Sequence, residues 1–422
     1  MRFAAAEGRV AARAATGLQG GFDARGQTLE LESGTEAAGG LAWAALHEAH
    51  DLQIRAADPA AAVALASGAV LRAWAPNEDR RGTLHVVTGA PKEAAALWVG
   101  TAPALAGNLF TRDLVAEPAN RLTPAAFVQR LVAMAEHGLK VTVRGPAWLR
   151  RQGFGALSAV GQAAASGPFL VTLGWPGAGR PVALVGKGLC FDTGGISIKP
   201  AAGMEAMRAD MAGAAACAGA MLALALGRSP RAAVAVLAIA ENATGANSYR
   251  PGDVLRTLSS RTVEVMDTDA EGRLALADAM HHAVAAHRPS AVITVATLTG
   301  SIVTALGHHH AGLFGNDDAL RDQLLAAGRV VGEPLWPMPI GARHREDLGS
   351  DIADLRQCLH GRQPDACHAA AFLREFAGDT PWAHLDIAGV DLAMEDGPLA
   401  KKGMPTGFGA RLLAAFCAAP PG

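Results

Sequence analysis

Aromatic residues are scarce in this chain of 422 residues: they make up 5%, with a single tyrosine, Tyr249. Net charge is nearly absent as well. Lys and Arg number 37 against 39 Asp and Glu, a formal charge of -2, which excludes a generally basic nucleic-acid binder and leaves only a local patch open. The five cysteines (Cys190, Cys217, Cys358, Cys367 and Cys417) are scattered and form no CxxC pair. That spacing excludes a disulfide framework and a thiolate zinc site, and it suits a reducing compartment. No long apolar run opens the sequence before charge returns at Glu7 and Arg9, so no secretory signal is expected. The longest uncharged stretches, 211–227 and 289–307, are respectively short and Ala/Gly-rich, and rich in Ser and Thr around Gly300. Neither reads as a membrane span, and a soluble cytoplasmic protein is expected.

What the chain does have is aliphatic bulk. Hydrophobic residues reach 50% and charged residues 18%, enough for a large core and far from a disordered profile. The 49 glycines and abundant alanine point to tight turns and close helix–sheet packing. No internal repeat or low-complexity segment is present. The first 107 residues read as a small α/β domain with an apolar run at 83–88 and no dense group of chemical residues. From residue 108 the pattern changes. The stretch RDLVAEPANRLTP (112–124) reads as a helix, a proline turn and a new helix capped by Thr123 with Pro124 in its first position. Strands are expected at 169–173, 182–185, 232–239, 262–266, 291–296 and 384–388, several of them apolar throughout. Helices are expected at 204–226, 273–287, 319–327 and 367–376. This alternation predicts a larger three-layer α/β/α domain over 108–422 around a mostly parallel sheet. Ligands of such sheets bind where strands end and helices begin.

Three of these junctions concentrate acids and bases. VGKGLCFDTGGISIKP (185–200) follows an expected strand, carries four glycines and is read as a loop holding Lys187, Asp192 and Lys199. It matches no phosphate-binding glycine pattern. MRADMAG (207–213) places Asp210 early in an otherwise uncharged helix, and MDTDAEGR (266–273) brings together Asp267, Asp269, Glu271 and Arg273. Taken singly, Asp210 suits a structural role, and the three acids suit the start of a helix. Taken together, they shift the balance. Asp269 and Glu271, two apart in an extended segment, project to one side. Clustered carboxylates without thiolates or paired histidines suit one or two divalent cations. Such a pair activates water and polarises a carbonyl.

The motifs VGKGLCFDTGGISIKP, MRADMAGAAA, DTDAEGRLALADA, ATLTG and GHHHAGLF together resemble the leucine (cytosol) aminopeptidase family of dimetal exopeptidases, in a short peptidase B-like form. The resemblance runs over about 112–413. It implies a metal-dependent aminopeptidase that removes the N-terminal residue of peptides through a hydroxide bridging two ions. Lys187, Asp192, Asp210, Asp269 and Glu271 match the family's ligands for two divalent ions, Mn²⁺ or Zn²⁺, with Asp192 and Glu271 bridging. A ligating lysine must bind as the neutral amine, which an adjacent dication favours. Lys199 and Arg273 match the two catalytic residues that are not ligands; bicarbonate held by the arginine serves as general base, and the lysine polarises the scissile carbonyl. Met207 and Thr297 match positions of the substrate pocket. The family usually has Asn where this chain has Asp267, which is expected either to face the cavity or to cap the next turn. The His308–His310 run is expected to be structural. A cytoplasmic homohexamer acting on peptides is implied, with no membrane or nucleic-acid partner.

Overall fold

The computed structural model describes residues 3–4, 28–30, 34–44, 52–76, 84–361 and 363–419. Internal contacts divide the chain into two compact units, Met1–Leu109 with Leu392–Thr406, and Phe110–Asp391 with Gly407–Gly422. The boundary expected at 107/108 thus falls two residues later. In addition, Leu392–Thr406, expected in the larger domain, groups with the first unit.

The first unit holds a parallel sheet of β1 (Phe3–Ala4), β2 (Thr28–Glu30), β3 (Leu52–Arg55) and β4 (Leu84–Val87) in the order β1-β4-β3-β2. Helices Glu36–Ala44 and Pro59–Ala73 pack on one another. Asp58 caps the second by accepting the Ala61 N–H, and Pro59 occupies its first position, where a missing N–H costs nothing.

The second unit contains β5 (Lys140–Arg144), β6 (Phe169–Trp175), β7 (Ala178–Asp192), β8 (Arg231–Asn242), β9 (Val254–Arg256), β10 (Thr262–Glu264), β11 (Ala291–Ala296), β12 (Ala311–Gly315), β13 (Leu335–Pro337), β14 (Leu355–Arg356) and β15 (Trp382–Asp386). Eight of them form one sheet, ordered β13-β12-β15-β11-β7-β8-β6-β5; β9, β10 and β14 form a small second sheet. The large sheet is parallel from β15 through β11 and β7 to β8 and turns antiparallel where β12 and β6 join it. Strands β7, β8 and β11 are buried almost throughout because helices cover both faces, which is why their sequences do not alternate. Every strand expected in this region is present, and Thr123 caps Pro124–Val132 as expected, through its bond to the Ala126 N–H.

The side-chain alternation of β7 sets up the site. Ala183, Val185 and Leu189 join a core with Leu274, Leu276 and Met280 of helix Glu271–His287. Gly186 faces the opposite helix, Ala212–Leu226, where a Cβ would lie 2.5 Å from the Ala214 Cα. Lys187 therefore points toward helix Glu271–His287. The glycine-rich stretch expected as a loop is strand up to Asp192, because its small residues let the covering helix lie directly on the backbone. The expected helix at 204–226 is a 3-10 turn, Met204–Ala209, followed by Ala212–Leu226. This segment is long and apolar enough to cross a membrane, but 94% of its most apolar window is buried within the fold.

Candidate metal centre

The carboxyl ends of β7 and β11 meet the start of helix Glu271–His287 around a cavity of about 370 Å³. Its lining includes Lys187, Asp192, Lys199, Asp210, Asp269 and Glu271, together with Met207 and Thr297. Of the ten residues picked from the sequence, eight are brought together here. They arrive from several elements: Lys187 and Asp192 on β7, Asp210 after the 3-10 turn, Thr297 just after β11, and Glu271 in the first turn of its helix. Lys199 stands on a loop entered through Gly194 and Gly195, whose φ angles of +85° and +67° suit glycine.

Acids and bases alternate across the cavity. Lys187 Nζ lies 2.8 Å from Asp210 Oδ1 and 2.8 Å from Glu271 Oε1, and donates to the Thr297 carbonyl at 3.0 Å. Lys199 Nζ lies 2.8 Å from Asp192 Oδ2 and also contacts Asp269 Oδ1. Burial opposes the Lys187 charge, but the carboxylates of Asp210, Glu271 and Asp192 outweigh it and hold the ammonium above the ordinary lysine range. The same contest holds Lys199 high, with Asp192, Glu271 and Asp269 prevailing over its burial. Gly272 makes room for Lys187: a Cβ there would stand 2.7 Å from Lys187 Cε.

Five carboxylates, counting Asp391, share the lining with two ammonium groups, and no other basic side chain lines the cavity. Oxygens of Asp192, Asp269 and Glu271 lie within 4.8 Å of one another, and Asp210 Oδ2 is buried without a hydrogen-bond partner. An oxygen-rich, negatively charged pocket with an unsatisfied buried acceptor fits divalent cations. Supporting residues fix these carboxylates. Asn242 Nδ2 donates to Asp192 Oδ1 at 2.7 Å and to the Thr268 carbonyl at 3.0 Å, while the Thr297 hydroxyl donates to Asp210 Oδ1 at 2.7 Å. Asn242 and Thr268 were missed in the sequence. Nothing in a lone Asn ending a strand marks it as the prop of a carboxylate 50 residues away.

Comparison with known proteins places this arrangement. The profile of the cytosol aminopeptidase family, catalytic domain, matches residues 109–414. The chain belongs to the cytosol aminopeptidase family. A probable cytosol aminopeptidase of Brucella melitensis is 44% identical over 375 residues, 85% of this chain and 76% of that protein. Another from Roseiflexus castenholzii is 47% identical over 344 residues, covering 80% and 70%. Among solved structures, the bottromycin maturation enzyme BotP in complex with Mn superposes with a TM-score of 0.85 at 37% identity, covering 91% of this chain and 86% of that one. As a member of the cytosol aminopeptidase family, the protein is a hydrolase of the metallo-aminopeptidase type.

One expectation does not survive the geometry of this aminopeptidase, and two site candidates lie outside the cavity lining, Asp267 taking the turn-capping alternative. Asp269 and Glu271 are not on an extended segment: the chain turns at Thr268–Asp269, and Glu271 begins a helix. Asp267 stabilises that turn, its Oδ1 accepting the Asp269 N–H at 2.9 Å, and it is not among the residues lining the cavity. Arg273 is absent from the lining as well. Its guanidinium, 1% exposed, donates through Nη2 to Asp365 Oδ1 at 2.6 Å and through Nη1 to the Gln357 carbonyl at 2.8 Å. Gln357 also donates to the Asp267 carbonyl and accepts the Met266 N–H, tying Arg273 to the acidic turn before Glu271. The His308–His310 run holds no ligand cluster among the described residues; His308 Nδ1 bonds the Gly389 carbonyl at 2.8 Å.

Proposed function

We propose that the chain is a cytoplasmic aminopeptidase that releases the N-terminal residue of peptides with two divalent ions. Lys187, Asp192, Asp210, Asp269 and Glu271 would hold the ions, Mn²⁺ or Zn²⁺. The observation that carries this reading is the surplus of carboxylate around the cavity, with Asp210 Oδ2 left unsatisfied. The Mn²⁺ named for the BotP structure supports manganese as the first ion to try. Bound there, the cations would lower the pKa of water and polarise a carbonyl, the chemistry of amide hydrolysis.

The protein's own groups supply the rest. Lys199, 20% exposed and on the cavity wall, is placed to polarise the scissile carbonyl and stabilise the developing oxyanion. The acidic lining attracts a substrate's free α-ammonium group. Met207 and Val303 offer apolar surface to its first side chain, and Asp391 adds a carboxylate to the lining. Lys187, buried between Asp210 and Glu271, would have to give up a proton to serve as a ligand, and a dication held by those two carboxylates would favour the neutral amine. Bicarbonate does not fit Arg273 as it is placed. Family resemblance also leads us to propose a homohexamer.

The test is chelation followed by re-addition of Mn²⁺, Zn²⁺ or Co²⁺, with aminoacyl-p-nitroanilides and a phosphate ester as substrates. Metal-restored release of nitroaniline with no phosphatase activity is expected. Metal-independent release, or phosphate-ester hydrolysis alone, overturns the reading.

A further inference from the structure

Family resemblance puts a dissolved bicarbonate on Arg273, yet the guanidinium already has an anion. Asp365, 4% exposed in the first turn of helix Asp365–Arg374, places Oδ1 2.6 Å from Nη2. The Gln357 carbonyl takes Nη1 at 2.8 Å. Of the three guanidinium nitrogens, Nε alone has no hydrogen-bond partner. Both terminal nitrogens are thus already engaged, one of them by a carboxylate, and the charge that would draw a carbonate is already met. An added anion would also meet a guanidinium already neutralised and a second negative charge beside it. The pair is enclosed: neither Arg273 nor Asp365 lines the cavity.

We infer that Asp365 is the resident anion of Arg273, a positioning residue whose carboxylate takes the place of dissolved bicarbonate, so that turnover needs none. The two side chains stand 92 residues apart in sequence. They join the helix carrying Glu271 to the helix that Asp365 begins, and through Gln357 to the turn before Asp269. Asp365 thereby acts on the centre by fixing Arg273 and the start of that helix, with no anion to gain or lose. The inference rests on the aminopeptidase reading and deepens it.

The experiment compares the metal-loaded protein with its Asp365→Ala and Asp365→Asn variants in carbonate-depleted buffer and with added sodium bicarbonate. The parent is expected to turn over equally in both, and a bicarbonate-stimulated parent overturns the inference. Asp365→Ala is expected to lose about 10²-fold in turnover, the scale of one electrostatic helper, and to recover in part with bicarbonate, which can now enter beside Arg273. Asp365→Asn keeps the shape without the charge, so it should lose activity and recover less. A fully active Asp365→Ala, or one that bicarbonate leaves unchanged, also overturns the inference. Calorimetric titration with bicarbonate reads the same point without catalysis: Asp365→Ala should bind an anion that the parent does not. Equal binding by both counts against Asp365 whether or not the protein proves to be an aminopeptidase, and a folding failure of either variant leaves the parent's own bicarbonate response to decide.

Discussion

Around the cavity, five carboxylates stand with two lysines, and one buried oxygen, Asp210 Oδ2, finds no donor. Two residues beyond Glu271 on the same helix, one guanidinium meets one carboxylate and one carbonyl, sealed from the cavity. Both clusters are buried and ionic, but only the first is out of balance. Leaving buried charge uncompensated is costly, so an imbalance facing a cavity marks a place where an ion from outside completes the structure. A charge-balanced, enclosed pair marks a group whose charge the fold has already met, even though Arg273 Nε is left without a hydrogen bond.

That contrast predicts opposite outcomes for two substitutions. Asp192→Asn keeps the oxygen that accepts the Gly194 N–H, removes charge from a region with acid to spare and turns the acceptor facing Lys199 into a donor. It should lower metal content and cut turnover by at least about 10²–10³-fold, with little change in the urea midpoint of the metal-free protein. Arg273→Ala strips Asp365 of its buried partner and should cost about 3–5 kcal/mol of stability, the scale for breaking a buried pair from one side. Metal analysis, nitroanilide assays and urea titrations of both variants check this. Equal loss of stability in the two would erase the distinction.

Asp278 sharpens the comparison with a buried acid that has no cation among its hydrogen-bond partners. Burial pushes its carboxyl up to about 7, against the pull of the Leu258 and Leu157 N–H groups that it accepts. Because the folded value lies above the unfolded one, its stabilising contribution is complete below about pH 4, the ordinary range of aspartate, and is lost as the pH rises through about 7. Stability measured by urea unfolding should therefore fall less between those pH values in Asp278→Asn than in the parent. Parallel pH profiles would remove Asp278 as the cause.

The smallest effect is expected at Asp267. Asn retains the oxygen that accepts the Asp269 N–H, so Asp267→Asn should leave stability within about 0.5 kcal/mol and shift KM and kcat less than twofold. A large rise in KM would show that the charge is felt by the substrate after all, and would move Asp267 into the unbalanced cluster.

The sequence by itself determined the apolar strands of the large sheet, the capped helix after Thr123 and the five ligand candidates. The first two are carried by local signals, runs of buried aliphatics and a Thr-Pro start, whereas the ligand candidates are singled out by the match of their motifs to those of a family. Only the tertiary structure decided that β7 continues through the glycines to Asp192, since Gly186 is a strand residue because Ala214 lies against it. It also decided that Asp267 caps a turn and that Arg273 belongs to Asp365 and Gln357, partners 92 and 84 residues away. The supports at Asn242, Thr268 and Gln357 escaped sequence reading for the same reason. Acids adjacent in sequence announce themselves, whereas the partner that satisfies a buried charge is chosen by which elements the sheet brings together, and no local pattern records that choice.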